Sequence, residues 1–361
     1  MKADKYLFDG EKKCRIDELP TGADRDDVDK EEIVEKFEKN LTKMAELQNV
    51  FYADRKEGLI VVLQALDAAG KDSLIRHVCS GMNPQGVSVT CLKRPSEEEL
   101  AHDYLWRVNR VLPKRGEILI LNRSYYEDII TAKALHLKDG YHMAKRVIGE
   151  SEEDFIGNRI RQVKDYERYL YENSYRVVKV LLNVSKDTQR QRFLERIDKK
   201  EKNWKFEAGD LETREQFDEY LHLFDKVISK TATKESPWYV IPADQKWYTR
   251  FLLSEILIDV LEDTKPEYPE LPKEEQEQLA ACKARLLAEK GTPDELIERE
   301  EATKISGDGA PDGDNAKTDE TKTDKAKKQK KEHKKEKKQK KDKEHKKDKK
   351  SVDPIYEKIE D

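Results

Sequence analysis

Apolar residues between positions 29 and 263 form short β-branched runs separated by longer segments with helical spacing. The runs predict five buried strands, at residues 59–63, 87–92, 117–121, 177–184 and 238–241. The intervening segments predict helices, at residues 29–54, 71–80, 96–112, 125–136, 151–172, 186–197 and 211–230, with a last helix ending near 261. Because alternating strands and helices form parallel sheets covered on both faces, we expect an α/β fold with a five-stranded parallel sheet.

Composition divides the chain of 361 residues into regions of different character. From about Thr303 to Val352 there is almost no Leu, Ile, Val or aromatic residue, so no core can form there. We therefore predict an N-terminal arm, a folded domain, an accessory helical extension and a disordered Lys-rich tail, at residues 1–28, 29–263, 264–302 and 303–361 respectively.

The Lys-rich tail contains two related twelve-residue segments, 327–338 and 339–350. Together they hold 15 Lys and 5 Asp or Glu, a local charge of +10, so the rest of the chain carries −15. The tail could be a solubilising segment, a tether for a polyanionic substrate or a non-specific contact for nucleic acid. Otherwise we expect no nucleic-acid partner for the acidic body.

The cysteines and the N-terminus bear on the cellular setting. The four cysteines, Cys14, Cys79, Cys91 and Cys282, are scattered without metal-ligand spacing, which favours a reduced compartment. The N-terminal residues have no apolar core of a signal peptide, and no apolar run reaches membrane-spanning length. We therefore expect a cytoplasmic protein with no membrane contact.

The stretch Leu59–Asp72 has the form of a phosphate-binding loop. Its apolar run leads into a small-residue turn with Gly70 and Lys71, followed by a helix whose first N–H groups lack intrahelical partners. The stretch departs from the P-loop pattern G-x-x-x-x-G-K-[ST], with Ala65 at the first Gly and Asp72 at the Ser/Thr. An ordinary strand–turn–helix with a surface lysine remains the alternative.

A second polar motif, Asn122-Arg123-Ser124, follows another predicted strand and therefore reaches the same sheet edge. Phosphoryl transfer needs a backbone cradle, a Lys, arginines and carboxylates that hold Mg²⁺. Asp67 could face Mg²⁺ or an attacking oxygen, or could be a turn-forming residue. On a helix Glu127 would share the face of Arg123. Because Asn122 carries no charge where a standard P-loop enzyme has an Asp, the metal could be held by Asp67 and Glu127 or by the phosphates.

Basic residues elsewhere could complete such a site. Arg192 and Arg196 are spaced i, i+4 and begin a basic run that continues to Lys205, a pattern typical of a lid closing over phosphates. A solvated helix face is the equal alternative. Three further residues could line an anionic channel: Lys93, Arg94 and Arg107.

Taken together, these motifs resemble the polyphosphate kinase 2 family, most closely its class III subgroup. The matching stretches, in the family's order, are LDAAGKDS (66–73), LKRPSEEELAHDYLWR (92–107), NRSYYED (122–128), VSKDTQRQRFLERID (184–198), NWKFEAGD (203–210) and PWYVIPADQKWYTR (237–250). They span nearly the whole predicted folded body. Ala65 and Tyr125, which replaces the more usual His, are the departures.

The resemblance implies a thymidylate-kinase-like P-loop fold, with residues 29–263 as the catalytic domain and a helical lid at about 186–215. It also implies Mg²⁺-dependent phosphorylation of AMP or ADP by inorganic polyphosphate. By position it implies a catalytic group of Asp67, Lys71, Asn122, Arg123 and Glu127, with Asp67 at the metal. The residues we assign to phosphate or nucleotide binding are Ala68, Ala69, Gly70, Asp72, Ser73, Lys93, Arg94, Arg107, Arg192, Arg196 and Lys205. Tyr125 could alter nucleotide preference, and we expect a homo-oligomer.

Two other functions remain open from the sequence. A phosphate-binding loop does not determine which molecule donates the phosphoryl group. The first alternative is therefore an ATP-dependent kinase that phosphorylates a small molecule. A non-catalytic protein that binds polyanions through the Lys-rich tail is the other.

Overall fold

The computed structural model describes residues 3–24 and 28–289 of the chain. Six strands form its sheet: β1 Leu7–Phe8, β2 Gly58–Gln64, β3 Val87–Cys91, β4 Ile118–Asn122, β5 Tyr175–Asn183 and β6 Trp238–Pro242. The helices are α1 Lys30–Asp54, α2 Lys71–Val78, α3 Glu97–Leu100, α4 Trp106–Asn109, α5 Ile130–Ala134, α6 Lys145–Ile148, α7 Glu152–Glu172, α8 Lys186–Asp198, α9 Gly209–Glu215, α10 Phe217–Thr231, α11 Lys246–Asp263 and α12 Lys273–Ala288.

The strands lie in the order β1-β6-β5-β2-β4-β3. The five predicted strands are mutually parallel, which confirms the predicted fold class. The sixth, β1, pairs antiparallel with β6 and was not predicted, because two residues are too few for a strand pattern to be recognised. The carboxyl ends of the parallel strands share one edge, where ligands bind in sheets of this kind.

The sheet has a separate apolar core on each face because successive residues of a strand point to opposite sides. Along β2, Leu59, Val61 and Leu63 face the core that contains α1, α2 and α11. Ile60 and Val62 face the core that contains α5, α7 and α10. The three-layer arrangement holds the end of β2 rigidly from both sides.

Three predicted helices are interrupted in the structure. The 96–112 segment does begin with the Ser96–Glu99 capping box, but it forms α3 and α4 as two separate single turns. The 125–136 segment begins as a 3₁₀ helix, Tyr125–Asp128, before α5, and the 211–230 segment is divided into α9 and α10. Helical spacing of apolar residues does not reveal a local break when the pattern continues on both sides of it.

Contacts divide the chain after Pro272 into two units. In the second unit the described residues include α12, whose side chains are exposed. The Lys-rich tail predicted at 303–361 lies outside the described residues. Within the described part, no helix is both long and apolar enough to cross a membrane.

Candidate active site

The loop between β2 and α2 has the strained backbone of a phosphate cradle. Gly70 is the residue before α2 and has φ of 108°, a conformation that a side chain disfavours. Ala68 adopts φ of 61° although it is not glycine, which costs about 1–3 kcal/mol. The loop therefore turns its first helical N–H groups, those of Lys71, Asp72 and Ser73, toward the carboxyl edge of the sheet.

Lys71 lies back across this loop instead of extending into solvent. Its Nζ donates a hydrogen bond to the Ala65 carbonyl oxygen at 2.8 Å, and the residue is only 9% exposed. Burial lowers the pKa of Lys71, and the negative charge of Asp67 only partly offsets it. A buried ammonium next to the loop is a strong local source of positive potential for an anion.

Asp67 and Arg123 form the central ion pair of the site, with Arg123 Nη2 donating to Asp67 Oδ1 at 2.6 Å. Arg123 follows β4 with φ of 62°, and its N–H donates to the Leu63 carbonyl at the end of β2. Burial lowers the pKa of Arg123, but the carboxylates of Asp67 and Glu127 outweigh it and the net shift is upward. The expectation that Arg123 shares a helix face with Glu127 is wrong, because Arg123 is not helical.

Asp72, which stands where a P-loop has Ser or Thr, connects three elements. Its carboxylate accepts from Asn122 Nδ2 at 3.0 Å and from Lys205 Nζ at 2.8 Å. Burial raises the pKa of Asp72, but these two hydrogen bonds outweigh it and the net shift is downward. Asn122 thus contacts the cradle helix through Asp72, while Lys205 links that helix to the segment after α8.

Arg192 is bonded to backbone oxygens on two loops. Its Nη1 donates to the carbonyls of Ala68 and Ala69, at 3.2 and 2.6 Å, and its Nη2 to those of Ala243 and Asp244, at 2.7 and 3.1 Å. Gln189 on the same helix donates to the Asp67 carbonyl at 3.0 Å. Helix α8 therefore clamps the cradle directly.

Arg196, one turn further along α8, has its hydrogen-bond partners outside the cradle loop. Its Nη1 donates to the Lys205 carbonyl at 3.2 Å and lies 3.4 Å from Asp210 Oδ2. These contacts join α8 to the 3₁₀ helix Lys200–Lys205 and to α9. The two arginines predicted as one pair thus have different partners.

Glu127 lies beside the central ion pair. Its carboxylate accepts from Thr131 Oγ1 at 2.5 Å, and it lines a cavity of about 140 Å³ together with Asp67, Arg123 and Tyr220. Burial and the nearby carboxylates of Glu127 and Asp67 raise the pKa of Tyr220 to about 12. The sequence-predicted group of Asp67, Lys71, Asn122, Arg123 and Glu127 is therefore brought together at one edge.

Comparison with known proteins identifies the family to which this arrangement belongs. The family model described as Polyphosphate kinase 2 (PPK2) matches residues 27–269, more than half of the chain. The chain belongs to the polyphosphate kinase 2 family.

Named relatives and solved structures agree with this membership. The chain is 40% identical over 276 residues to the ADP-polyphosphate phosphotransferase of Rhodopseudomonas palustris, covering 76% of this chain and 95% of that protein. It is 42% identical over 228 residues to the AMP/ADP-polyphosphate phosphotransferase of Meiothermus ruber, covering 63% and 80%. The crystal structure of Polyphosphate Kinase 2 from Arthrobacter aurescens TC1 matches with a TM-score of 0.61 at 31% identity, covering 73% of this chain and 95% of that one.

The family resemblance predicted from the motifs is thus confirmed, while its class III subgroup stays a prediction. The effect of Tyr125 on nucleotide preference also stays a prediction. Tyr125 is completely buried and its hydroxyl donates to Glu167, so such an effect would be indirect.

Arg107 lines a second cavity, of about 270 Å³. Residues that follow β3, such as Pro95 and Glu99, also line this cavity. Arg107 is 5% exposed, donates to the Lys93 carbonyl at 2.8 Å and pairs with Asp128 at 3.3 Å, while its Nε has no hydrogen-bond partner among the described residues. Burial raises the pKa of Asp128 despite this pairing. The side chains of Lys93 and Arg94 are exposed beside this region.

Sequence reasoning missed several residues of this site. Arg159 is 6% exposed and lines the second cavity. Gln189 donates to the Asp67 carbonyl, and the Asp244 carbonyl accepts from Arg192. Gln189 and Asp244 do stand inside motifs quoted for the family, so their position in the motifs was a usable signal. Arg159 stands in a charged helical stretch where nothing distinguishes it from solvent-exposed arginines.

The protein offers few ligands for a divalent metal. Within residues 3–24 and 28–289, no group of three or more His, Cys, Asp or Glu side chains could hold a metal ion. Mg²⁺ commonly keeps several waters and binds one or two carboxylates together with substrate phosphates. Asp67, with a side chain 23% exposed beside the cradle, fits that limited role.

The Arg192 contacts predict a specific result for Arg192→Lys. An ammonium keeps the charge but cannot donate to four carbonyls on two loops, so the cradle should loosen. We expect stability to fall by about 2 kcal/mol, the order of a lost hydrogen-bond set to a charged group. We expect the transfer rate to fall about tenfold. Thermal unfolding and initial-rate assays measure the two effects.

Arg190→Lys is the control, because Arg190 lies on the same helix, is 55% exposed and contacts only Asp187 among the pairs described. It should change neither quantity. Equal behaviour of the two variants would show that Arg192 does not clamp the cradle.

Proposed function

We propose that this chain transfers the terminal phosphoryl group of inorganic polyphosphate to AMP or ADP. The observation that carries the proposal is the 2.6 Å ion pair of Asp67 and Arg123, next to the buried Lys71. One carboxylate and two cations therefore meet at a single point, as phosphoryl transfer requires. The printed names of two relatives, phosphotransferases using polyphosphate with ADP or with AMP and ADP, support it.

In the proposed reaction an oxygen of the acceptor's terminal phosphate attacks the terminal phosphorus of polyphosphate. A new P–O bond forms while the bond from that phosphorus to the bridging oxygen breaks, so the polyphosphate leaves one unit shorter. Asp67 orients the acceptor phosphate. Lys71 and Arg123 donate to the phosphoryl oxygens, where charge is concentrated in the transition state.

Substrate binding in this scheme exchanges protein contacts for phosphate contacts. In the structure Arg123 pairs with Asp67, and Lys71 donates to the Ala65 carbonyl. A phosphate oxygen offers both cations a charged acceptor in place of these partners, and charge-assisted hydrogen bonds are the stronger kind. When Arg123 binds a phosphate oxygen, the Asp67 carboxylate is released from its ion pair and can act on the bound substrate.

A metal ion is part of the proposal. We assign Mg²⁺ as the cofactor, with Asp67 as its protein ligand and phosphate oxygens as the others. When bound it would neutralise the phosphates and align them, which is the usual contribution of Mg²⁺ in phosphoryl transfer.

We further propose that residues 186–215 act as a lid. Lys205, paired with Asp72 at 2.8 Å, and Arg196 belong to this segment, and Trp204 within it is 76% exposed. Within this segment Arg192 and Gln189 hold α8 on the cradle, while the residues after α8 are tied to the cradle helix by the Lys205–Asp72 pair. This later part can open at small cost, because such surface pairs contribute about 0–1 kcal/mol. Cytoplasmic location and homo-oligomeric assembly remain predictions.

The test is an assay with polyphosphate and AMP in the absence of ATP. We expect ADP, and then ATP, to form only when a divalent cation is present, with loss of activity on chelation. Because the donor is a polyanion, the rate at subsaturating polyphosphate should fall steeply as salt is raised. Nucleotide products are separated and quantified by chromatography.

The same preparation is assayed with ATP in place of polyphosphate and with adenine and guanine acceptors in turn. A chain lacking residues 303–361 serves as the control for the Lys-rich tail and should keep most of its turnover. Absence of ADP from AMP and polyphosphate, with transfer from ATP intact, would contradict the proposed donor.

A further inference from the structure

A buried charged cluster is attached to the loop after β4, which carries Arg123 and Glu127. We define the Glu167 cluster as Glu167, Lys179, Tyr125, Tyr126 and Ser236. Each of these residues is 2% exposed or less. They come from α7, from the middle of β5, from the 3₁₀ helix after β4 and from the turn before β6. None of them belongs to the group assigned above to phosphate, metal or nucleotide.

The Glu167 carboxylate is hydrogen-bonded on both oxygens. Tyr125 and Tyr126 donate to Oε1 at 2.9 and 2.8 Å. Lys179 Nζ and Ser236 Oγ are bonded to Oε2 at 2.5 and 3.0 Å. The network therefore satisfies the carboxylate completely, as a buried charge requires.

Such a cluster is a poor device for stability alone. The side chains of Lys179, Tyr125 and Tyr126 are fully buried, and this burial lowers the pKa of Lys179 and raises the pKa of both tyrosines well above the ordinary value. Replacing a buried ion pair by well-packed apolar residues is often neutral or stabilising. Apolar packing could not replace one effect of this cluster. Hydrogen bonds have a preferred direction, and here they fix the hydroxyl groups of two tyrosines on one carboxylate oxygen.

Those tyrosines stand between the two site residues of the same loop. Arg123 precedes them with φ of 62°, and Glu127 follows them. A residue other than glycine keeps a left-handed backbone conformation only when contacts on both sides of it hold the chain in place. On one side Arg123 is held by its N–H bond to Leu63. On the other, the chain is held by the two tyrosines.

We propose that Glu167 is a positioning residue, which fixes Arg123 and Glu127 in their reactive geometry through the hydroxyls of Tyr125 and Tyr126. The inference rests on the proposed function, since it assigns Arg123 and Glu127 to the phosphoryl-transfer site. It adds a layer of the site that lies beneath the sheet edge and touches no substrate. Displacement of a catalytic group by about 1 Å can lower a rate by up to 10²-fold.

The test compares Tyr125→Phe, Tyr126→Phe and the double variant, each of which removes only hydroxyl groups. Tyr248→Phe is the matched control, because its hydroxyl is also buried and lies 3.3 Å from that of Tyr6, in the other core. We expect kcat of the double variant to fall about tenfold, with KM values for AMP and polyphosphate within about twofold of the parent. Tyr248→Phe should lower thermal stability, as the single variants Tyr125→Phe and Tyr126→Phe do, but it should leave kcat unchanged.

A second variant removes the charges without leaving either one unpaired. Glu167→Gln combined with Lys179→Met keeps similar volumes, so folding can be checked by circular dichroism before kinetics. It should also lower kcat about tenfold. Unchanged kcat in both the double tyrosine variant and this variant, with folded protein, would overturn the inference. An inactive parent protein would instead contradict the proposed function, so the two failures are distinguishable.

Discussion

Replacing Asp67 by Asn should lower the rate of phosphoryl transfer by about 10³-fold. The amide keeps the size of the side chain but removes the negative charge, which we propose orients the acceptor and serves as the metal's protein ligand. Losing a positioned acid–base or charged group of this kind typically costs 10²–10⁴-fold. Stability should change by less than about 1 kcal/mol, because the Asp67–Arg123 pair is partly exposed, at 23% and 38%.

Asp263→Asn is the matched control. Asp263 also forms an Asp–Arg pair, with Arg176 at 2.9 Å, but Arg176 lies near the start of β5, away from the carboxyl edge. At saturating Mg²⁺ and polyphosphate, the initial rate of Asp263→Asn should equal that of the parent protein, and that of Asp67→Asn should be about 10³-fold lower. If Asp67→Asn kept near-parental turnover, Asp67 would be a turn residue and the metal assignment would fail.

The parallel sheet could be predicted because its strands are buried on both faces and therefore appear as continuous apolar runs. Leu59–Leu63 is such a run, and all of its residues are 1% exposed or less. Strand β1 could not be predicted, since its two residues become a strand only through pairing with β6, more than 200 positions away. The break in the 96–112 segment lies at Asp103, whose carboxylate accepts from the Leu105 N–H at 2.9 Å, a local contact that the spacing of apolar residues does not reveal.

The site was predictable where a motif places its residues at the end of a strand. Gly70, Lys71 and Arg123 are of this kind, because parallel strands bring their carboxyl ends to one edge. The partners of Arg192 were not predictable, because they are four backbone carbonyls and every residue type has a backbone carbonyl. Glu167 was missed for a related reason: on a charged helix nothing distinguishes a buried glutamate from exposed ones.

Lys71→Met should have opposite effects on activity and on stability. We expect transfer to fall by about 10³-fold, because the variant loses the charge that we propose neutralises the moving phosphoryl group. We expect stability to be unchanged or higher. The Lys71 ammonium is buried, and its one described hydrogen bond is to the Ala65 carbonyl, so the apolar side chain avoids a desolvation cost.

The pH dependence of stability distinguishes this explanation from a general packing effect. Because burial lowers the pKa of Lys71 in the folded state, the unfolded chain holds more protons between the folded pKa and the value of about 10.4 for a free lysine. Stability of the parent protein therefore gains from rising pH in that window, and Lys71→Met lacks this gain. The stability advantage of the variant should shrink as pH rises. Lys114→Met, at a side chain 88% exposed, should show neither effect in denaturant unfolding measured across pH. A constant difference between Lys71→Met and the parent protein would contradict the role of the buried charge.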